Sequence, residues 1–391
     1  MFSFARKSKN QMVLEKISPK GAMTMKTNEH AKYTYLTVEL VPTAEDAAML
    51  QKTWDAHKRA CNRFSQKFYN ESLKGKNKYK NWKTAYASAS WLAKGKKGGL
   101  HAVYGHSIVD IIKKAYKRNE QKGKLELILF GDYGEKNTKS SAIHFCWESA
   151  FQVDFTTKKC RLDLADGRRT IAFSIPSKLP EPPTSWKIVR AYLKLVYGSW
   201  YLTLTFPNPT AEMKAEPDTN VVGVDRGELN IATTFSPAKG AHSYKSIDYP
   251  RPCKGSTNDD YHKSLFARDV HVASEVVENE PPYTIFILED LYFEKTIEGW
   301  SYRHFEDVLI YLAALRHQSI FYCAPYNTSI TCPVCGHVEK ANRLHDENRF
   351  VCQKCGYGAD EIVDDDENAA RNIYNRGKEA LEKELSNKVG A

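Results

Sequence analysis

Nowhere in its 391 residues does the chain hold about 18 consecutive apolar residues, so neither a membrane-spanning helix nor a membrane partner is expected. The opening decapeptide MFSFARKSKN lacks the apolar stretch of a secretory signal, which points to a cytoplasmic compartment. A disulfide framework is missing too. Of nine cysteines, Cys61, Cys146, Cys160, Cys253 and Cys323 are scattered without pattern, and the other four form two CxxC pairs. Acidic residues are scarce in one half only. Residues 1–200 carry 37 Lys and Arg against 17 Asp and Glu, a net +20, whereas residues 201–391 carry 20 against 30, a net −10. A basic excess of that size repels itself unless a polyanion neutralises it, so nucleic acid is the expected partner of the first half. The acidic half suits divalent cations.

Apolar material is ample: 42% hydrophobic and 12% aromatic content supports two or three buried cores, hence a multidomain chain. Residues 32–43, KYTYLTVELVPT, alternate apolar and polar and predict a strand; residues 43–72 have helical spacing with Thr43 as N-cap. Residues 1–30 show little periodicity and read as a partly disordered extension. In 74–97 lysines interleave with Tyr79, Trp82, Tyr86 and Trp91, offering phosphate contacts beside stacking surfaces, although such aromatics serve equally well packed inward. A second basic amphipathic helix follows at 106–124. From 125 to 205 the runs LELILF, AIHFCW, AFQVDF, RLDLAD, RRTIAFSIP, IVRAYLKLVYG and SWYLTLTF predict a small β-barrel or sandwich. Residues 206–220, FPNPTAEMKAEPDTN, read as a linker, which places a domain boundary near 220.

Three acids and four cysteines carry the chemistry. VVGVDRGELNIATTF (221–235) predicts two strands joined at Gly227, with Asp225 at a strand end, where an aspartate serves as turn-former as readily as ligand. YTIFILEDLYF (283–293) is the near-continuous apolar run of a strand buried on both faces, and it ends at Glu289 and Asp290. A helix over 259–279 separates the two. The last helix, 364–385, opens with Asp364, Asp365 and Asp366; one acid satisfies a helix N-terminus, and three in a row repel unless a cation joins them. In an RNase H-like sheet this helix begins beside the first and fourth strands, which would bring Asp366 against Asp225 and Glu289, with Asp364 and Asp365 as alternates for the third position. Such a triad holds two magnesium (or manganese) ions about 4 Å apart for phosphodiester hydrolysis. Before that helix, Cys332, Cys335, Cys352 and Cys355 form CxxC-x16-CxxC, each pair followed by glycine. The spacing predicts a closed tetrathiolate site for structural zinc, and no thioredoxin-like βαβ pattern surrounds it to suggest redox use.

GVDRG around Asp225, LEDL around Glu289, DENAARN from Asp366, and YNTSITCPVCGH (326–337) leading into the cysteines resemble TnpB and the compact type V CRISPR effectors, across 221–374. RDVHVAS (268–274) is similar to that family's helix before the second acid. The resemblance implies an α/β and α+β multidomain fold. Its RNase H-like (RuvC) domain, 221–327 and 361–391, holds an inserted zinc ribbon at 328–360 that binds target nucleic acid. A wedge β-barrel precedes it at 31–220, with a helical recognition insert at about 43–124. It implies an RNA-guided DNA endonuclease with catalytic residues Asp225, Glu289 and Asp366, a guide RNA (omega RNA or crRNA) and double-stranded target DNA as partners, and a monomer or homodimer. A cytoplasmic, nucleoid-associated place in a prokaryote or phage-infected cell goes with it. The alternative within the resemblance is a guided DNA-binding repressor that does not cut; loss of acids marks that class, and all three are present. Against the family pattern, 236–282 and the stretch after Glu289 are short.

Overall fold

The computed structural model describes residues 30–389 apart from 76, 95–98, 122, 133–134, 136–137, 141, 146–149, 228, 250–256 and 292–301. The expected disorder of residues 1–30 therefore lies outside the described residues, His30 excepted, as do Cys146 and Cys253. Among the described residues no helix is long and apolar enough to cross a membrane.

The chain opens with β1 (Tyr33–Val41), whose side chains alternate between buried and half-exposed as the sequence pattern requires. Thr43 then caps α1 (Ala44–Leu73): its hydroxyl accepts from the Asp46 amide at 3.2 Å while the Asp46 carboxylate accepts back from the Thr43 amide. Two further helices, α2 (Trp82–Lys94) and α3 (Tyr104–Gln121), pack on α1. The interleaved aromatics of this region divide. Tyr79 is buried, whereas Trp82 and Trp91 are exposed with the ammonium groups of Lys113 and Lys67 over their rings.

A short parallel pair, β2 (Phe130–Gly131) and β3 (Lys139–Ser140), precedes the remaining strands of the first sheet: β4 (Ile143–Phe145), β5 (Phe151–Asp154), β6 (Lys159–Leu164), β7 (Gly167–Ser174), β8 (Arg190–Val196) and β9 (Ser199–Pro207). Its order is β4-β8-β9-β1-β7-β6-β5, antiparallel throughout. The expected barrel is thus a sheet curled nearly shut. Its edges β4 and β5 meet through the Phe145 and Phe151 rings, 6.2 Å apart, and not through a hydrogen-bonded ladder among the described residues. LELILF is not a strand before Phe130. Side chains of α1 satisfy its backbone instead: Asn62 bonds both the amide and the carbonyl of Phe130, and Ser65 donates to the carbonyl of Ile128.

The expected linker 206–220 is pinned in place. Asn208 donates to the Ala31 carbonyl at 2.8 Å, Ser319 donates to the Thr210 carbonyl at 2.9 Å, and Met213 and Ala215 pack on the second core. Beyond it stands a five-stranded sheet: β10 (Val221–Asp225), β11 (Asn230–Ser236), β12 (Gly240–Lys245), β13 (Ile285–Glu289) and β14 (Ser319–Cys323), in the order β12-β11-β10-β13-β14. The first three form an antiparallel meander; β13 and β14 add in parallel. The parallel members and β11 are buried almost throughout, as the near-continuous apolar run of β13 requires. Helices α4 (Asn258–Glu278) and α5 (Tyr302–Leu315) pack on each other, and α5 also packs on β1, joining the two sheets. Tyr311 of α5 donates to the Pro180 carbonyl at 2.8 Å, and Lys263 of α4 pairs with Glu39 of β1.

The final helix, α6 (Asp365–Val389), presses on β10, β11, β13 and β14. It comes so close that a Cβ on Gly223 would collide with the Ala370 carbonyl and the Tyr374 amide, and one on Gly377 with the Ile287 side chain. Gly223→Ala is accordingly expected to push α6 off the sheet and lower stability by about 1–3 kcal/mol, measured by denaturant unfolding; a stability equal to wild type would mean that α6 is not seated on β10.

Candidate active site

Strand pairing in parallel register sets the position of the first two acids. Asp225 is the last residue of β10 and Glu289 the last of β13, adjacent strands whose ends open on the same side. Asp366 is in the first turn of α6, which starts beside them: a Cβ on Gly227, in the turn after β10, would lie 3.4 Å from Asp366 Oδ2. All three residues are half-buried.

Three anions in one crevice disfavour one another. Burial, then the charges of Asp366 and Glu289, hold the Asp225 carboxyl well above the usual carboxylate range. Burial also raises Glu289, against the Thr328 hydroxyl bound to its Oε1 and the nearby charges of Arg226 and Arg376. Asp366 is pushed up to about 6, by burial first and then by Asp365 and Asp364, with Asn230 donating to its Oδ2 at 2.9 Å in the opposite sense.

The structure separates the three consecutive acids. Val363–Asp364 is a strand, β17, and not the first turn of the last helix. Asp364 turns back to accept from the amides of Asp366 at 2.9 Å and Glu367 at 3.4 Å, so it caps the helix. Asp365 is buried against Arg343. Each offers an oxygen within 4.8 Å of the others and of Asp366, yet Asp366 alone has its carboxylate beside Asp225.

The four cysteines converge. Their Sγ atoms all lie within 4.8 Å of one another, with Cys332–Cys355 and Cys335–Cys352 both at 3.6 Å. Tetrahedral zinc with 2.3 Å bonds requires sulfurs about 3.8 Å apart, so the cluster fits the ion. Gly336 and Gly356 adopt left-handed φ values of 71° and 75° and donate their amides to the carbonyls of Cys332 and Cys352, closing each knuckle. Burial pushes the Cys332 thiol up to about 12, whereas at Cys352 the amides of Cys355 and Lys354 overcome burial and lower it to about 6. Asn342 is fully buried between the knuckles, donating to the Ile330 carbonyl and accepting from the Gln353 amide.

This ribbon is stitched to the acid-bearing helix. Its strands β15 (Arg343–Leu344) and β16 (Arg349–Phe350) extend into β17, with Arg349 opposite Asp364 and Phe350 opposite Val363. Asn368 and Asn372, one helical turn apart on α6, both donate to the carbonyls of Thr328 and Thr331. The Arg371 guanidinium lies over the rings of Phe235 in the sheet and Tyr357 in the ribbon.

Residues 302–373, from α5 through the ribbon into α6, match the family model "Cas12f1-like, TNB domain". Two curated relatives carry the name CRISPR-associated endodeoxyribonuclease Cas12f1. That of Syntrophomonas palmitatica is 23% identical over 212 residues, 41% of this chain and 40% of the relative. That of Sulfoacidibacillus thermotolerans is 34% identical over 77 residues, 20% of this chain and 17% of the relative. These matches make parts of the chain, residues 302–373 above all, similar to Cas12f1 proteins. The chain spans less than half the length of these curated relatives. Among solved structures, a Cas12f1–sgRNA–target DNA complex aligns with 86% of this chain and 84% of its own, at TM-score 0.43 and 16% identity. The mini-RNA-guided endonuclease CRISPR-Cas_phi3 aligns with 89% and 92%, at TM-score 0.37 and 10% identity.

The supporting residues Arg226, Asn230, Thr328, Asn368 and Asn372 went unmarked in the sequence. The one usable signal was the i, i+4 spacing of two asparagines in DENAARN, which on a helix shares a face. Cys352→Ser is expected to lower the zinc per chain in elemental analysis and to speed amide exchange at residues 363–367; full zinc retention would reject the tetrathiolate site.

Proposed function

We propose that the chain is an RNA-guided DNA endonuclease that cuts at one RNase H-like (RuvC) site made of Asp225, Glu289 and Asp366. The observation that carries this reading is the meeting of three acids from two adjacent parallel strand ends and the first turn of the helix packed across them, on a sheet with three antiparallel strands followed by two parallel ones. The Cas12f1 relatives, named as endodeoxyribonucleases, support it. In the proposed division, 31–220 is the wedge with its recognition insert at about 43–124, 221–327 with 361–391 the nuclease domain, and 328–360 the ribbon. Guide RNA and target DNA would meet the basic first half, which carries +20.

Hard carboxylate oxygens at the three positions suit magnesium or manganese. Bound there as a pair, the ions would supply an activated water and stabilise the leaving oxygen of the phosphodiester. The residues themselves orient the ligands. Thr328 fixes one oxygen of Glu289, Asn230 fixes one oxygen of Asp366, and the helix cap at Asp364 holds the first turn of α6. The four thiolates, with no open position, organise the ribbon and do not touch substrate. A guided binder that does not cut is disfavoured because all three acids are retained and brought to one crevice.

Asp225→Ala is expected to abolish magnesium-dependent cleavage of a guided target while leaving guide and target binding intact, read by gel cleavage and filter binding; retained cutting would sink the triad. Asp364→Ala, which removes only the cap, is expected to cost about 1 kcal/mol of stability and to keep measurable cleavage. RNA co-purified with the wild-type chain should be a discrete species, and a random RNA population on sequencing would favour an unguided nuclease.

A further inference from the structure

Arg226 follows Asp225 directly, yet its side chain is turned away from any substrate: 1% of it is accessible. Nη1 holds Glu306 Oε2 of α5 at 2.5 Å, and Nη2 donates to the backbone carbonyl of Glu289 at 2.7 Å. Glu306 is held in turn, accepting from the Tyr322 hydroxyl of β14 at 2.6 Å and from Arg303 at 3.4 Å.

A buried ion pair is costly to desolvate, so its presence beside the acids calls for a reason. The sheet register supplies one. Strands β10 and β13 pair from Val221↔Ile285 to Val224↔Leu288 and no further. Asp225 is still paired outward to Thr233 of β11, and Glu289 outward to Cys323 of β14. The two acids therefore stand on strand ends held to their outer neighbours but not to each other, while their charges push them apart and sheet twist splays the ends. The Arg226 guanidinium crosses that gap, bonding from the residue after one acid to the carbonyl of the other.

We propose that Arg226, neutralised by Glu306, is a positioning residue that ties the Glu289 strand end to the Asp225 strand end and so sets the carboxylate separation at which metal binds. The proposal rests on the nuclease reading for its kinetic consequence, but not for its metal-binding one. It makes Glu306 and Tyr322 supports of the same tie.

The test uses the full chain. Mn2+ binding without DNA is followed by electron paramagnetic resonance, with Asp225→Ala as the baseline, and guided cleavage is measured in parallel. Arg226→Lys, whose single ammonium cannot serve both partners, is expected to weaken Mn2+ binding by about 10- to 100-fold. The double variant Arg226→Met/Glu306→Leu replaces the pair with apolar side chains and is expected to melt near wild type. Its kcat should still fall by about 100-fold, with target affinity unchanged. Wild-type metal affinity in Arg226→Lys, or wild-type kcat in a stably folded double variant, overturns the proposal, since a merely structural pair would be restored by apolar packing. The two claims separate cleanly: a wild-type chain that binds Mn2+ at the acids but cuts nothing overturns the nuclease reading, while the positioning proposal is still decided by the Arg226→Lys metal affinity.

Discussion

Mutual repulsion among three half-buried carboxylates is the constraint around which the second half of the chain is arranged. Left alone, Asp225, Glu289 and Asp366 would move apart or take up protons, and burial already pushes all three toward the protonated form. The protein counters this with separate holds on Glu289 and Asp366. Arg226 and Thr328 act on Glu289, Asn230 acts on Asp366, and Asp364 caps the helix that carries Asp366. The seat of that helix depends on two glycines, Gly223 under α6 and Gly377 within it, where any side chain would hold the backbone off the sheet.

The ribbon belongs to the same construction. Its β16 runs as a neighbour of β17, and β17 leads straight into the first turn of α6. Two asparagines on α6 grip the loop that enters the ribbon, and the same loop supplies the Thr328 hydroxyl to Glu289. Order at the four thiolates is thereby passed to two of the three acids through hydrogen bonds. The basic half is joined to this assembly by α4 and α5, through Lys263 with Glu39 and through Trp186, whose ring meets that of Tyr311 edge-on.

Local pattern in the sequence made much of this legible. Alternation in β1, the Thr43 cap, the apolar runs of β10 and β13, and the CxxC pairs all record burial or coordination that a few neighbouring residues decide among themselves. Elements whose backbone is satisfied from afar were misjudged. LELILF has a strand's composition, but Asn62 and Ser65 on α1 take the hydrogen bonds a partner strand would have made. The segment 206–220 has a linker's composition, yet Asn208 and Thr210 are buried by contacts reaching to Ala31 and Ser319.

What the amino-acid sequence determined by itself was the set of candidates: three acids, four cysteines, and a basic half fit for a polyanion. Which of Asp364, Asp365 and Asp366 faces the other acids was decided only in three dimensions, because β17 pairing fixes where the helix begins and hence which carboxylate turns inward. The role of Arg226 was likewise invisible along the chain. An arginine beside an aspartate reads the same whether it meets solvent or bridges to a carbonyl 63 residues away, and only the packing of β10, β13 and α5 distinguishes the two.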